Sequence, residues 1–513
     1  MSKQISVRRT GLVVFSARIG SILTGLAFLI LMTRTLSTQQ FGLWEVVIDV
    51  VTFASYPSVL VVYWATRDIA RGLMRGRTAL GINVTLSVLG IAVYVVLSFF
   101  TSGPINSGWE TFLLATLLVP IAYWNNAANA IVSGYDPIVG GYAVISSEAS
   151  KLLVAFPALL VFHAGIDGVI LSLMVANAAQ AATSTYLCSE ALEEPFDAET
   201  GKRWLTRSWL TSLNSIPYVV GIADTYVASI AAAGTVIVGY YQAAFSVAAL
   251  AGYSSYLAVA LYPLLLRGGD GSDDLPSVTL DLSLLFGIPL AVGAASLARP
   301  ILFVLRPTYA AASSAMEILA FGALLTAIAS LLDQTLMGKV TVDADDSARA
   351  RHFLHSDLFF VFLVNLGSTL AYVVGVYFIV HSGAISGAQI PQTLDLWATA
   401  QLVVFVFFIA VRVPRVRSRT KLVLRPSFLY YVGGALVMAA FLFFASGYLD
   451  YNGRILDFGE ELVTIGLAGL LLYFGFVYTT DLPFRALVRR MIRRSRGQQG
   501  PEGAKLTEVG GGD

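Results

Sequence analysis

The sequence predicts an all-α polytopic membrane protein of about fourteen transmembrane helices. Three observations carry that prediction. Of the 513 residues, 56% are hydrophobic and only 13% charged, whereas a water-soluble chain is nearer a quarter charged. The apolar residues gather in runs of roughly 20 or more, the length that crosses a bilayer core as a helix. Lysine and arginine concentrate in alternate connections between those runs, as a fixed membrane topology requires. The net charge of +1 carries no nucleic-acid signal, and none is expected as a partner.

The runs place spans near 12–36, 43–65, 79–101, 111–133, 143–163 and 168–189. A polar, partly acidic stretch from Glu190 to Arg207 follows, and spans resume near 209–232, 235–265, 280–305, 311–338, 356–380 and 394–413. A basic link, Arg412 to Arg425, leads to two more near 427–447 and 461–480. Pro57, Pro120, Pro157, Pro217 and Pro289 lie inside spans, where proline is tolerated and marks kinks. The tail opens as a basic amphipathic stretch, Phe484 to Arg494, suited to the inner membrane surface. From Gly497 it reads as disordered.

Taking the N-terminal side as inside, Arg67, Arg71, Arg75, Arg77, Lys202, Arg203, Arg207 and the Arg412–Arg425 cluster all fall inside. Arg34, Arg306 and Arg454 are the cations of the outer ends. The bias predicts a multi-pass protein of the cytoplasmic membrane with both termini cytoplasmic. The first apolar run is too long for a cleavable signal peptide, so none is expected.

The chain reads as internally repeated. Phe41-Gly42-Leu43-Trp44-Glu45 opens the second span, and Val238-Gly239-Tyr240-Tyr241-Gln242 opens the eighth. This sets spans 1–6 against spans 7–12, an arrangement common in transporters that bind substrate between halves. The expected organisation is an N-terminal lobe over 1–189, a cytoplasmic linker over 190–208 and a second lobe over 209–413. Two further helices occupy 414–480, and the basic tail occupies 481–513.

Charges inside spans are costly and mark function by default. Arg18 lies six residues into the first span, roughly 9 Å along a helix. It shares a face with Ser21 and Gly25, small residues that suit packing against protein; the alternative is that it snorkels to the interface. Lys151 follows Glu148 by three residues, so the two can pair on one helix face as a structural feature or leave Lys151 for substrate. Arg299 precedes Pro300 near the outer end of its span and reads first as an interfacial anchor, second as a cavity cation. Asp224, mid-span in the seventh helix, is the best-placed lone acid. Glu45 and Asp49 form an i,i+4 pair that can reach water. Asn125 and Asn129 make a polar stripe on the fourth span, read first as interhelical hydrogen bonding and second as glycan contact. Tyr253 and Tyr256 lie deep enough in the eighth span to face a cavity and a sugar ring.

Several chemistries have no motif. Cys188 is the single cysteine, which excludes an internal disulfide and any CxxC site. There is no Walker A or HExxH sequence. His352 and His355 have no further ligands nearby, and Gly268-Gly269-Asp270-Gly271 lacks the strand-to-helix context of a dinucleotide site. No metal or cofactor is expected, and the short outer connections argue against an enzyme.

The stretch RRTGLVVFSARIGSILTGLAFLILMTRTLSTQQFGLW, with Arg34-Thr35-Leu36-Ser37 and Phe41-Gly42 at its end, resembles the opening of Wzx-type polysaccharide flippases. These belong to the MATE-like multidrug/oligosaccharidyl-lipid/polysaccharide exporter superfamily. IADTYVASIAAAGTVIVGYYQAA, with Asp224 and Gly239-Tyr240-Tyr241, resembles that superfamily's seventh-to-eighth helix region. The resemblance implies two six-helix lobes in a MATE-like arrangement rocking about a central cavity. It implies a polyprenyl-diphosphate-linked oligosaccharide as cargo, with membrane lipids and glycan-assembly enzymes as partners. Arg18 matches in kind a first-helix arginine that meets the diphosphate; Lys151 and Arg299 match no motif, and Asp224 takes the place of a gating or coupling acid. Arginine's planar fork suits phosphate oxygens. A MATE-type cation-coupled exporter remains the alternative, although the first span carries an arginine and no acid. A membrane glycosyltransferase or polymerase is the enzymatic one.

Overall fold

The computed structural model describes residues 7–105, 107–255, 274–338, 354, 356–451, 454–486 and 489; the side chains of 7–12, 14, 15, 18, 19 and 209–214 lie outside that description. Among the described residues, 12 helices are long and apolar enough to cross a membrane. Two shorter apolar segments, Gly20–Thr35 and Ser215–Ala231, fall in the first and seventh predicted spans. Every predicted span therefore carries a helix, and the chain is an all-α polytopic membrane protein.

The first span is α1 (Val7–Thr35). Ser37 then starts α2 (Thr38–Ser55) with a capping box: its Oγ accepts from the Gln40 N–H and its own N–H donates to Gln40 Oε1, satisfying two donors that a helix start leaves open. Pro57 lacks the N–H a continuing helix needs, so a 3-10 turn, Tyr56–Ser58, separates α2 from α3 (Val59–Ala70). The Ala54 carbonyl beside this break accepts from the Tyr123 hydroxyl at 2.9 Å. Gly90 makes room for that ring, since a methyl there would fall 2.6 Å from it.

Next come α4 (Gly76–Ser102), α5 (Trp109–Ala115) and α6 (Leu118–Tyr135). Asp136 caps α7 (Pro137–Phe156), with Pro137 in the first turn, where its missing N–H costs nothing. At Pro157 the helix widens into a π turn, Pro157–Val161. The N-terminal half closes with α8 (Gly165–Leu187).

The seventh span departs from its prediction. α9 (Ala198–Gly221) begins inside the stretch read as linker, because Asp197 caps it by accepting from the Glu199 and Thr200 N–H groups. The helix breaks at Ile222, and α10 (Ala223–Ala231) carries the apolar remainder. α11 (Val236–Ala248) continues as a 3-10 turn, Ala249–Ser255. The rest are α12 (Leu275–Ser296), α13 (Ala298–Leu305), α14 (Ser313–Met337), α15 (Asp357–Ser386), α16 (Ile390–Arg417), α17 (Ser427–Ser446) and α18 (Ile455–Thr480). The stretch left between the predicted spans near 356–380 and 394–413 is mostly helical, because α15 runs to Ser386, Gly387 ends it in a left-handed conformation, φ 66°, and α16 starts at Ile390. His352, His355, the glycine-rich loop at 268–271, and most of the tail lie outside the described residues.

The chain divides into two compact units. The first comprises 1–247, 301–319 and 340–411. Within it α7 packs on α1 and α8, α6 on α3, α4 and α8, and α10 on α2 and α15. The second comprises 248–300, 320–339 and 412–513. There α17 packs on α18 and α12. Its interior holds a charge pair missed in the sequence: Arg412 Nε lies 2.8 Å from Asp333 Oδ1, with the arginine 3% exposed. Read alone, Arg412 begins a solvated basic link; it is instead buried because α16 extends to Arg417 and α14 presents an acid.

Candidate functional site

In the first unit, four helices converge on Asp224. It opens α10, so its Oδ1 accepts the Thr225 N–H at 2.8 Å. Its Oδ2 accepts from the Tyr372 hydroxyl of α15 at 2.6 Å and the Tyr241 hydroxyl of α11 at 3.2 Å. Trp397 of α16 donates its indole N–H to the Tyr372 oxygen at 2.8 Å and stacks on the Tyr241 ring at 3.9 Å. The three aromatic residues are buried, so a full set of hydrogen bonds fixes this acid. Asp49 of α2 accepts from the Thr225 hydroxyl, and Glu45, held by Gln242, lies in Coulomb range of both acids. Asp49 is only 8% exposed. Its expected route to water is closed because α10 packs against α2. Nothing in the local sequence marked Tyr372 or Trp397 as partners of Asp224.

The predicted outer end is sealed by backbone contact. A methyl at Gly42 would overlap the Thr235 carbonyl oxygen and lie 2.8 Å from the Gly239 nitrogen, and one at Gly239 would overlap the Thr38 carbonyl oxygen. Thr235 Oγ1 donates to the Gln39 carbonyl at 2.8 Å. Arg34, at the end of α1, donates to the Phe303 and Val304 carbonyls at 2.6–2.9 Å. Arg306 in turn donates to the Leu36 carbonyl. Each arginine thus caps the other helix's carboxyl end, where cations are favoured.

Of the expected cationic contacts, Arg18 lies on the helical backbone of α1, and its side chain is outside the described residues. Lys151 of α7 pairs with Glu148 at 2.6 Å and sits 5.4 Å over the Phe28 ring, while the Thr24 hydroxyl donates to the same carboxylate. The two side chains expected to share a helix face are thus paired. Arg299, in the second unit, is exposed and lies 6.0 Å over the Tyr451 ring, the geometry of an anchor.

The asparagine stripe of α6 faces α8. Asn125 Nδ2 donates to Asn177 Oδ1 at 3.2 Å, Gln180 Nε2 donates to Asn129 Oδ1 at 3.3 Å, and Trp124 Nε1 donates to Thr185 Oγ1 at 3.1 Å. Beside it, the first unit holds an open-sided cavity of about 460 Å³ lined by Tyr56, Asn125, Asn126, Asn177 and Tyr218, among others. Tyr253 is exposed in the 3-10 turn after α11; Tyr256 lies outside the described residues. Among the described residues, no group of three or more His, Cys, Asp or Glu side chains is placed to hold a metal ion.

At the predicted inner side, the inter-lobe stretch is docked. Trp204 is buried and donates to Asp68 Oδ2 at 2.9 Å, and Arg75 pairs with Asp197 at 2.9 Å. The Thr200 hydroxyl, then its N–H, followed by the Glu199 N–H and the Arg75 charge, hold the Asp197 carboxyl below its usual range.

No protein-family model matches the sequence, and no curated protein matches it. Solved structures do. The lipid II flippase MurJ, in an inward closed conformation, matches over 93% of this chain and 99% of its own, with a TM-score of 0.64 and 13% identity. An inward-facing multidrug resistance MATE family transporter of the MOP superfamily matches over 77% of this chain and 94% of its own, with a TM-score of 0.56 and 14% identity. A MATE structure in the straight conformation covers 80% of this chain and 95% of its own, at a TM-score of 0.52 and 13% identity. At such identities the likeness is one of fold, and this chain has the fold shared by the MurJ flippase and the MATE transporters.

Proposed function

We propose that this chain is a flippase that moves a polyprenyl-diphosphate-linked oligosaccharide across the cytoplasmic membrane for cell-surface glycan assembly. The supporting observation is the reach of the match. The lipid II flippase matches over 93% of this chain, while the multidrug transporter matches over 77%. The lobes over 1–189 and 209–413 alternate access, with the termini cytoplasmic, and the Gly42–Gly239 crossing is the closed outer end. Arg18 receives the diphosphate through its bidentate fork. Lys151 is held by Glu148 and Arg299 by Tyr451, so both are secondary candidates.

The test is movement of lipid-linked oligosaccharide in vesicles carrying each variant. Arg18→Ala should abolish flipping at matched abundance, and Arg18→Lys should retain part of it. Full activity of Arg18→Ala would overturn the diphosphate assignment. Maleimide labelling in a Cys188-free variant tests orientation: residues of Arg415–Arg425 should be reached from the inside alone.

A second reading, a cation-coupled exporter of small molecules, is favoured by Glu45, Asp49 and Asp224 gathered at one place. Efflux of organic cations with no effect on lipid-linked sugar would select it.

A further inference from the structure

The cavity of about 460 Å³ beside α6 and α8 has a size and lining of its own. The volume falls in the range of about 300–1,000 Å³ typical of small-molecule sites. Its walls come from α2 and the turn at Pro57, from α6 and α8, and from α9. Tyr56, Asn125 and Asn177 each lie ten or more residues from either end of their spans, so the cavity sits at mid-membrane depth. Among the described residues no charged side chain lines it; the polar groups are hydroxyls and carboxamides.

That lining selects by charge. A diphosphate there would leave water with no cation to replace its solvation, a penalty of several kcal/mol per ion even after relaxation. An uncharged hydroxyl-rich molecule meets the opposite situation, since carboxamides both donate and accept. Asn126 Nδ2 is engaged by Ser58 Oγ at 2.6 Å, and Asn125 Nδ2 by Asn177. Tyr218 is 67% exposed, offering an aromatic face of the kind that packs on the C–H side of a sugar ring.

We propose that this cavity is a neutral-sugar subsite, which holds one or two uncharged sugar rings of the cargo while the diphosphate is held elsewhere. The inference rests on the flippase reading and adds to it a physical separation of the two ends of the head group. Asn125 and Asn126 present the hydrogen-bonding wall and Tyr56 and Tyr218 the aromatic one.

The experiment is saturation-transfer NMR on the full chain in nanodiscs, with maltose and N,N′-diacetylchitobiose as probes, and phosphorus-31 line broadening of inorganic pyrophosphate on the same samples. Flipping of lipid-linked oligosaccharide by the same preparation is measured in parallel. The wild type should show transfer to at least one disaccharide. Ala122→Phe, which fills the cavity without touching its hydrogen bonds, should reduce that transfer at least five-fold at unchanged melting temperature and unchanged pyrophosphate signal. Asn125→Asp, nearly isosteric, should weaken it similarly by placing a carboxyl group in the wall. Disaccharide transfer that survives both variants overturns the subsite. No transfer to either disaccharide, with flipping intact, overturns the subsite and leaves the flippase reading standing. Disaccharide transfer that is lost in Ala122→Phe, with no flipping by the wild type, keeps the subsite and removes the flippase reading.

Discussion

Gly42 and Gly239 meet backbone to backbone, each against the carbonyl of the threonine four positions before the other, Thr235 and Thr38. The relation is reciprocal, so the weak sequence repeat has a matching local two-fold crossing. The same register brings Glu45 and Gln242 into hydrogen-bonding partnership. Neither position tolerates a Cβ without moving main chain.

Gly42→Val should therefore pry the crossing apart, at a cost of about 1–3 kcal/mol as for other overpacked contacts. In a Cys188-free background, an impermeant maleimide should label Thr235→Cys, a position buried in the crossing, several-fold faster when Gly42→Val is added. Equal rates would mean that the crossing yields without opening.

Asp224 concentrates hydrogen bonds from three elements. Asp224→Asn should lower transport at least tenfold at normal membrane abundance if the acid gates or couples; wild-type transport would leave it a structural role only. Tyr372→Phe removes one donor to the carboxylate and strands the Trp397 N–H. It should destabilise by about 1–3 kcal/mol, read as a lower melting temperature in detergent.

Arg412 and Asp333 form a buried pair, and breaking one side of such a pair costs about 3–5 kcal/mol. Asp333→Leu should lower the melting temperature sharply, and adding Arg412→Met should recover most of the loss. A double variant as unstable as the single one would show that packing, not the stranded charge, is responsible.

Asp197 provides a pH test. Its carboxyl titrates lower in the folded chain than unfolded, so its contribution is fully present above about pH 3.9 and fades as pH falls through the folded value. Amide exchange over residues 193–208, corrected for intrinsic rate, should show constant protection from pH 8 to 5 and loss below about pH 4. In Asp197→Ala the protection should already be reduced at pH 7.

The spans were legible because length and apolarity alone decide them; no partner need be known. Pro57 and Pro157 announced their breaks, since a missing N–H is a local fact, whereas Pro217 and Pro289 lie inside continuous helices. The start of α9 was missed although Asp197 carries a cap signal, because the polar run Glu199–Arg207 outweighed it in a hydropathy reading. Within the candidate site, the asparagine stripe and Asp224 stood out as polar groups in apolar helices. Tyr372 and Trp397 did not, because tyrosine and tryptophan are ordinary in membrane helices and their role comes from contacts far along the chain. Arg412 misled for the same reason: its neighbours in sequence are solvated arginines, while its partner sits on another helix.

The break at Pro57 has a mechanical consequence. A proline in a long helix normally makes a compliant joint, because the carbonyl it frees is loosely solvated and can swing. Here the neighbouring Ala54 carbonyl is tied to the Tyr123 hydroxyl, and Gly90 lets that ring lie flush. Bending must first give up that bond, worth about 1 kcal/mol, and push the ring into α4. The second span is thus a stiff elbow: a displacement at the Gly42 end is transmitted past the cavity to Ala70 and is not absorbed midway.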